Sequence, residues 1–136
     1  MHEVGAARRA QVYGWAEGRC EYCRTPERIA IVKDEVDHIV SLKHEGQTTA
    51  ENLALCRALC NRYKGSDIAS IDPETGAISP LFDPRRDRWT EHFELRGATI
   101  HPLTPAGRVT VRLLQLNRPE RVRERERLIE IGWLGR

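Results

Sequence analysis

Four cysteines fall into two close pairs, Cys20-Glu21-Tyr22-Cys23 and Cys56 with Cys60. Between the pairs lie Asp37-His38 and Asn52, and Asn61 follows Cys60 directly. Thiols so grouped can close a small motif around a metal, most simply zinc; the bland alternative is two chance pairs of buried thiols. A histidine, a carboxylate and two amides are parts from which a metal-assisted phosphodiester hydrolase can be built. Histidine has an unperturbed pKa of about 6.5, so at neutral pH it offers a base that can take a proton from water. That assigns His38 as the general base. Asp37 brings a hard oxygen for Mg²⁺ or Mn²⁺, and Asn61 offers an amide oxygen to the same ion. Neighbours in a strand point to opposite faces, so a bend or a strand edge must reconcile Asp37 with His38.

The elements that would hold these residues can be read from the apolar pattern. Val4, Ala7, Val12 and Trp15 are at helical spacing, with a stop at Gly18. Ile29 to Val32, Val36 to Val40 and Leu53 to Leu55 read as short strands, and Cys60 to Ser66 as a helix. Beyond Asp67 the character changes. Asp72-Pro73-Glu74-Thr75-Gly76 and Asp83-Pro84 are turn signals. Trp89, Phe93 and Leu95 share one parity of a strand that bends at Gly97 towards Ile100. Thr104-Pro105 opens a helix with cap and first-turn proline, and a second helix runs from Pro119 to about Ile131. The run Arg121 to Arg127 alternates in sign, which reads as a solvated, ion-paired face.

Composition sets bounds. The 136 residues are 40% hydrophobic and 31% charged, enough for one modest core and against wholesale disorder. No apolar run is long enough to span a bilayer, and residues 1–9 lack the apolar stretch of a secretory leader. A cytoplasmic protein is therefore expected, and a reducing compartment disfavours disulfides. Net charge is only +2, too small to prove a nucleic-acid partner. Residues 1–67 carry ten basic and ten acidic side chains; residues 68–136 carry twelve, all arginine, against ten.

The pattern Cys20-x-x-Cys23, Asp37-His38-Ile39, Gly46, Asn52-Leu53-Ala54-Leu55, Cys60-Asn61-x-x-Lys64-Gly65 resembles the HNH endonucleases in their His-Asn-Asn form. Asp72 to Gly76, Trp89, His92-Phe93 and Asn117-Arg118 also resemble a region that follows this motif in a bacterial and phage subgroup. The resemblance implies an α+β fold: a ββα-metal (His-Me finger) core with a structural zinc knuckle, an N-terminal helix and a C-terminal strand and helix extension. The expected division is 1–67 for core and N-terminal helix, and 68–136 for an extension of a hairpin plus two helices packed on the core. The activity implied is DNA hydrolysis giving a 3′-hydroxyl and a 5′-phosphate, with His38, Asn52 and Asn61 as catalytic residues. Asp37 and Asn61 would hold the catalytic Mg²⁺ or Mn²⁺; Cys20, Cys23, Cys56 and Cys60 would hold a separate structural Zn²⁺.

By the same resemblance Asn52 hydrogen-bonds the loop after His38 and orients the imidazole, although an asparagine there can simply cap a turn. Arg62 and Lys64 would contact DNA phosphates. One departure stands out: relatives space the second pair Cys-x-x-Cys, whereas Cys56 and Cys60 enclose three residues, with Arg57 where the first cysteine would fall. Zinc accepts such spacing, and Cys56 is the weakest member of the set. The partner expected is DNA, with no membrane. The alternatives are a non-catalytic zinc-knuckle nucleic-acid-binding module, or a nuclease subunit needing a partner for specificity; beside DNA, the partners allowed are a second copy in a homo-oligomer or a specificity-giving partner protein.

Overall fold

A computed structural model describes residues 4–134. The first three residues of the stretch read as lacking a leader lie outside it. Helix α1 (Ala6–Ala16) buries Val12 and Ala16 and ends at Glu17 in the left-handed region, which turns the chain into the first cysteine loop. Arg8, Arg9 and Gln11 face solvent. Trp15, read from sequence as part of the apolar face, is half-exposed, and the Arg85 guanidinium stacks on its ring at 4.9 Å.

Strands β1 (Glu35–His38) and β2 (Leu53–Cys56) form an antiparallel hairpin followed at once by helix α2 (Ala58–Lys64). The register sets Val36 opposite Leu55 and His38 opposite Leu53, with Asp37 opposite Ala54 and Glu35 opposite Cys56. Directly opposed residues share a face, so the hairpin has two distinct sides. Val36, Leu53 and Leu55 pack with Val12 and Ala16 of α1. Ala54 and Cys56 join the larger cluster that contains Cys20, Cys23, Cys60 and Ile39.

The rest of the chain adds two more two-stranded hairpins, β3 (Ala69–Ile71) with β4 (Ile78–Pro80) and β5 (Phe93–Arg96) with β6 (Thr99–Pro102). A helical turn, α3 (Trp89–His92), leads into β5; helices α4 (Pro105–Leu113) and α5 (Pro119–Glu130) follow. Phe82, Phe93, Ile100, Leu114 and Leu116 are buried in the same cluster as the cysteines, so one core joins both parts of the chain. The architecture is mixed, of helices and small antiparallel sheets, as expected for α+β. Thr104 caps α4, its hydroxyl accepting from the Gly107 N–H at 3.0 Å, with Pro105 in the first turn.

Several sequence expectations are corrected. Ile29 to Val32 is not a strand: a 3-10 turn covers Glu27–Ile29, and Ile31 and Val32 project into solvent without a neighbouring strand to pair. Trp89 lies in α3 rather than in a strand, because its indole N–H reaches back 2.8 Å to the Tyr22 carbonyl. The turn at 72–76 closes a hairpin whose three-residue strands leave Ile71 and Ile78 exposed and so carry no alternation signal. The face of α5 is not wholly solvated either: Arg121 and Arg125 are buried.

Candidate active site and sulfur cluster

The cysteine loop is built by backbone pairing. Cys20 N–H donates to the Thr25 carbonyl and Glu21 N–H to the Leu55 carbonyl, while the Glu21 carboxylate accepts from Leu55 N–H at 2.9 Å. These bonds lock the loop to β2. The sulfurs of Cys20, Cys23 and Cys60 lie within 4.8 Å of one another, and all three residues are buried. Zinc–sulfur bonds of about 2.3 Å set tetrahedral sulfurs roughly 3.8 Å apart, so this trio is compatible with a zinc knuckle. Cys56 is buried but is not part of the trio; it ends β2, and three residues separate it from Cys60. Its thiol nevertheless meets that of Cys20. Burial pushes the Cys20 thiol up, but hydrogen bonds from Cys23, Cys56 and Cys60 outweigh it and hold it well below the usual thiol range. The bond to Cys20 and then burial push Cys56 well above that range. Soft metals bind sulfur as thiolate, and Cys20 is the sulfur that the fold holds most readily as an anion.

Strand alternation divides the remaining polar residues. Glu35 and Asp37 share the β1 face on which α2 lies, where the Asn61 amide nitrogen donates to Glu35 at 3.2 Å. Burial pushes the Asp37 carboxyl up; the His38 backbone N–H and the Lys64 ammonium oppose it. His38 occupies the last position of β1 on the other face, where Nε2 and the Thr48 hydroxyl are 2.8 Å apart. Asp37 and Glu35 thus share one face of β1, with Asn61 bonded to Glu35, and His38 lies on the other face at the strand end. Glu35 and Thr48 were not singled out from sequence. Period two along the strand could have found Glu35; nothing local marks Thr48.

Asn52 is the hub of the loop after β1. Its Oδ1 accepts from Val40 N–H at 2.9 Å, and its amide nitrogen donates to the carbonyls of Val40 at 2.9 Å and Gln47 at 2.8 Å. The loop closes so tightly that a Cβ on Gly46 would lie 1.8 Å from the Val40 carbonyl oxygen.

The two expected phosphate contacts separate. Arg62 is exposed on α2. Lys64 is only 3% exposed, its ammonium donating to the Ile39 carbonyl at 3.0 Å. The expectation of a surface charge is corrected for Lys64, because the side chain folds under the loop and braces it. It also lines a hollow of about 510 Å³ between α2 and the extension, with Ile39, Phe82, Asp83 and His92. Of the other histidines, His44 is exposed and His92 bonds the Thr104 hydroxyl at 2.6 Å.

Residues 20–67, about a third of the chain, match the family model described as HNH endonuclease. The cysteine loop, the β1–β2 hairpin and α2 all fall within the matched segment. An HNH segment suggests nuclease chemistry in general, with nucleic acid as substrate and a divalent metal in use. No curated protein and no solved structure matches the chain. Among the described residues no helix is long and apolar enough to cross a membrane.

Proposed function

We propose that the chain is a metal-dependent endonuclease that hydrolyses DNA phosphodiester bonds, with the β1–β2 hairpin and α2 as its ββα-metal core. The observation that carries this reading is that Asp37 and Glu35 share one face of β1, with Asn61 of α2 bonded to Glu35 and the His38 ring held at the same strand's end, inside the HNH-matched segment. Asp37 and Asn61 would hold Mg²⁺ or Mn²⁺, which when bound supplies positive charge for the phosphate and the departing oxygen.

The protein's own groups do the rest. A ring proton on Nε2 of His38, donated to the Thr48 hydroxyl, leaves Nδ1 as the nitrogen that takes a proton from water. The water oxygen bonds to phosphorus as the bond to the 3′ oxygen breaks. Asn52 does not touch substrate; it fixes the loop that carries Thr48 and so orients the imidazole. Arg62 supports the backbone of DNA, and such contacts weaken as salt rises.

The test is cleavage of supercoiled plasmid with Mg²⁺ or Mn²⁺. EDTA should abolish it, and His38→Ala should lower the rate by about 10²–10⁴-fold, the range for loss of a general base, with the circular dichroism spectrum unchanged. Equal rates in the parent and His38→Ala would remove His38 from the chemistry.

A further inference from the structure

Helix α5 inserts two guanidinium groups into the core beside the sulfurs. Arg121 is 4% exposed and Arg125 1% exposed. Arg121 donates to the Leu114 carbonyl at 2.9 Å and, through Nη2, to the Cys60 sulfur at 2.9 Å. Arg125 donates to the carbonyls of Ala98 and Leu116 and to the Asn117 side-chain oxygen, at 2.6–2.9 Å. Arginine stays charged at any pH at which proteins fold, and a buried cation without a counter-charge is strongly disfavoured. Among the described residues neither guanidinium is hydrogen-bonded to a carboxylate. The acid between them in sequence, Glu124, is taken: both of its oxygens bond Arg57, at 2.5 and 2.9 Å. Arg121 touches the Cys60 sulfur directly, and Arg125, one turn further along α5, feels the Cys23 and Cys60 sulfurs ahead of Glu124.

Charge counting then discriminates between forms of that cluster. Four neutral thiols offer nothing to two buried cations. Three thiolates on a divalent metal carry a net charge of −1, and four carry −2, which matches Arg121 and Arg125 together. We propose that these two arginines are the counter-ions of a tetrathiolate metal centre that includes Cys56, and that α5 docks on the core only when this centre is filled. The inference depends on the sulfurs and α5 alone and is independent of DNA cleavage.

The measurement is zinc affinity, read by competition with a chromophoric chelator. Arg121→Met, which keeps the aliphatic packing and removes the charge, should bind zinc at least tenfold more weakly, while Arg121→Lys should stay within about threefold of the parent. Equal affinity in the parent and Arg121→Met would overturn the proposal. Should Arg121→Met fail to fold, cobalt substitution of the parent decides. Four thiolates counted from the sulfur-to-cobalt charge-transfer absorbance, dropping to three in Cys56→Ser, support it; three in the parent overturn it. Hydrogen exchange adds a readout on the helix: residues 119–130 should lose protection when zinc is stripped, and undiminished protection there would also overturn the docking claim.

Discussion

Asp34 is a buried acid that the proposed chemistry does not use. It is 6% exposed, and neither carboxyl oxygen has a hydrogen-bond partner among the described residues. Its backbone N–H is satisfied by Glu27, which also accepts from the Tyr13 hydroxyl at 2.6 Å. Burial, with the nearby Cys20 and Glu27, pushes the Asp34 carboxyl up to about 7, against the pull of Arg57. An unfolded Asp titrates near 3.9, taken as about 4. Between those values the folded chain holds the proton more tightly, so the Asp34 contribution to stability is present at low pH and lost as pH rises through about 7. Asp34→Asn should therefore raise the melting temperature more at pH 8 than at pH 5. The same shift at both values would mean that Asp34 ionises normally in the folded protein. Single residues were also the most legible part of the sequence: residue type and spacing drew attention to Asp37, His38, Asn61 and the cysteines, while Asn52 took its role from the family resemblance. Lys64 misled because a lysine in a polar stretch reads as surface, and only the fold reveals the carbonyl that its ammonium meets.

Among the elements, the loop between β1 and β2 carries the sharpest constraint. Gly46 lies where any side chain would strike the Val40 carbonyl and the Asn52 amide. The obstacle is backbone, which cannot swing aside as a side-chain tip would. Gly46→Ala should cost about 1–3 kcal/mol, as overpacking does, measured by urea unfolding. It should also lower cleavage, since Thr48 and Asn52 depend on the same loop. Wild-type stability in this variant would show that the loop relaxes outward at little cost. Helix α4 was legible at this scale because its cap is encoded locally in Thr104-Pro105. Short strands were less so. The β3–β4 hairpin is held by its turn, where Asp72 accepts from Glu74 N–H, the Thr75 hydroxyl and Arg108. Arg108 lies thirty-six residues away in sequence, beyond any local pattern. In α5, Arg121, Arg125 and Leu128 share one helical face, a periodicity masked by the alternating charges around it.

For the molecule as a whole, Phe82 is where the matched segment and the remainder meet. Its ring is 3% exposed and makes edge contacts with Tyr22 from the cysteine loop at 6.2 Å and Phe93 from β5 at 5.2 Å. Phe82→Ala should cost about 3–5 kcal/mol, the range for a buried aromatic truncated to alanine, and a single unfolding transition should move as one. A calorimetric trace that instead splits into two would show that the parts fold apart. Sequence could not reveal this junction, since Asp83-Pro84 beside it reads only as a turn. The two-sidedness of β1 has a last consequence for how such a chain can vary. Because adjacent side chains project in opposite directions, deleting one residue just before Asp37 with the pairing of Glu35 to Cys56 unchanged would move the imidazole and the carboxylate each to the opposite face. This strand therefore tolerates length changes only in pairs.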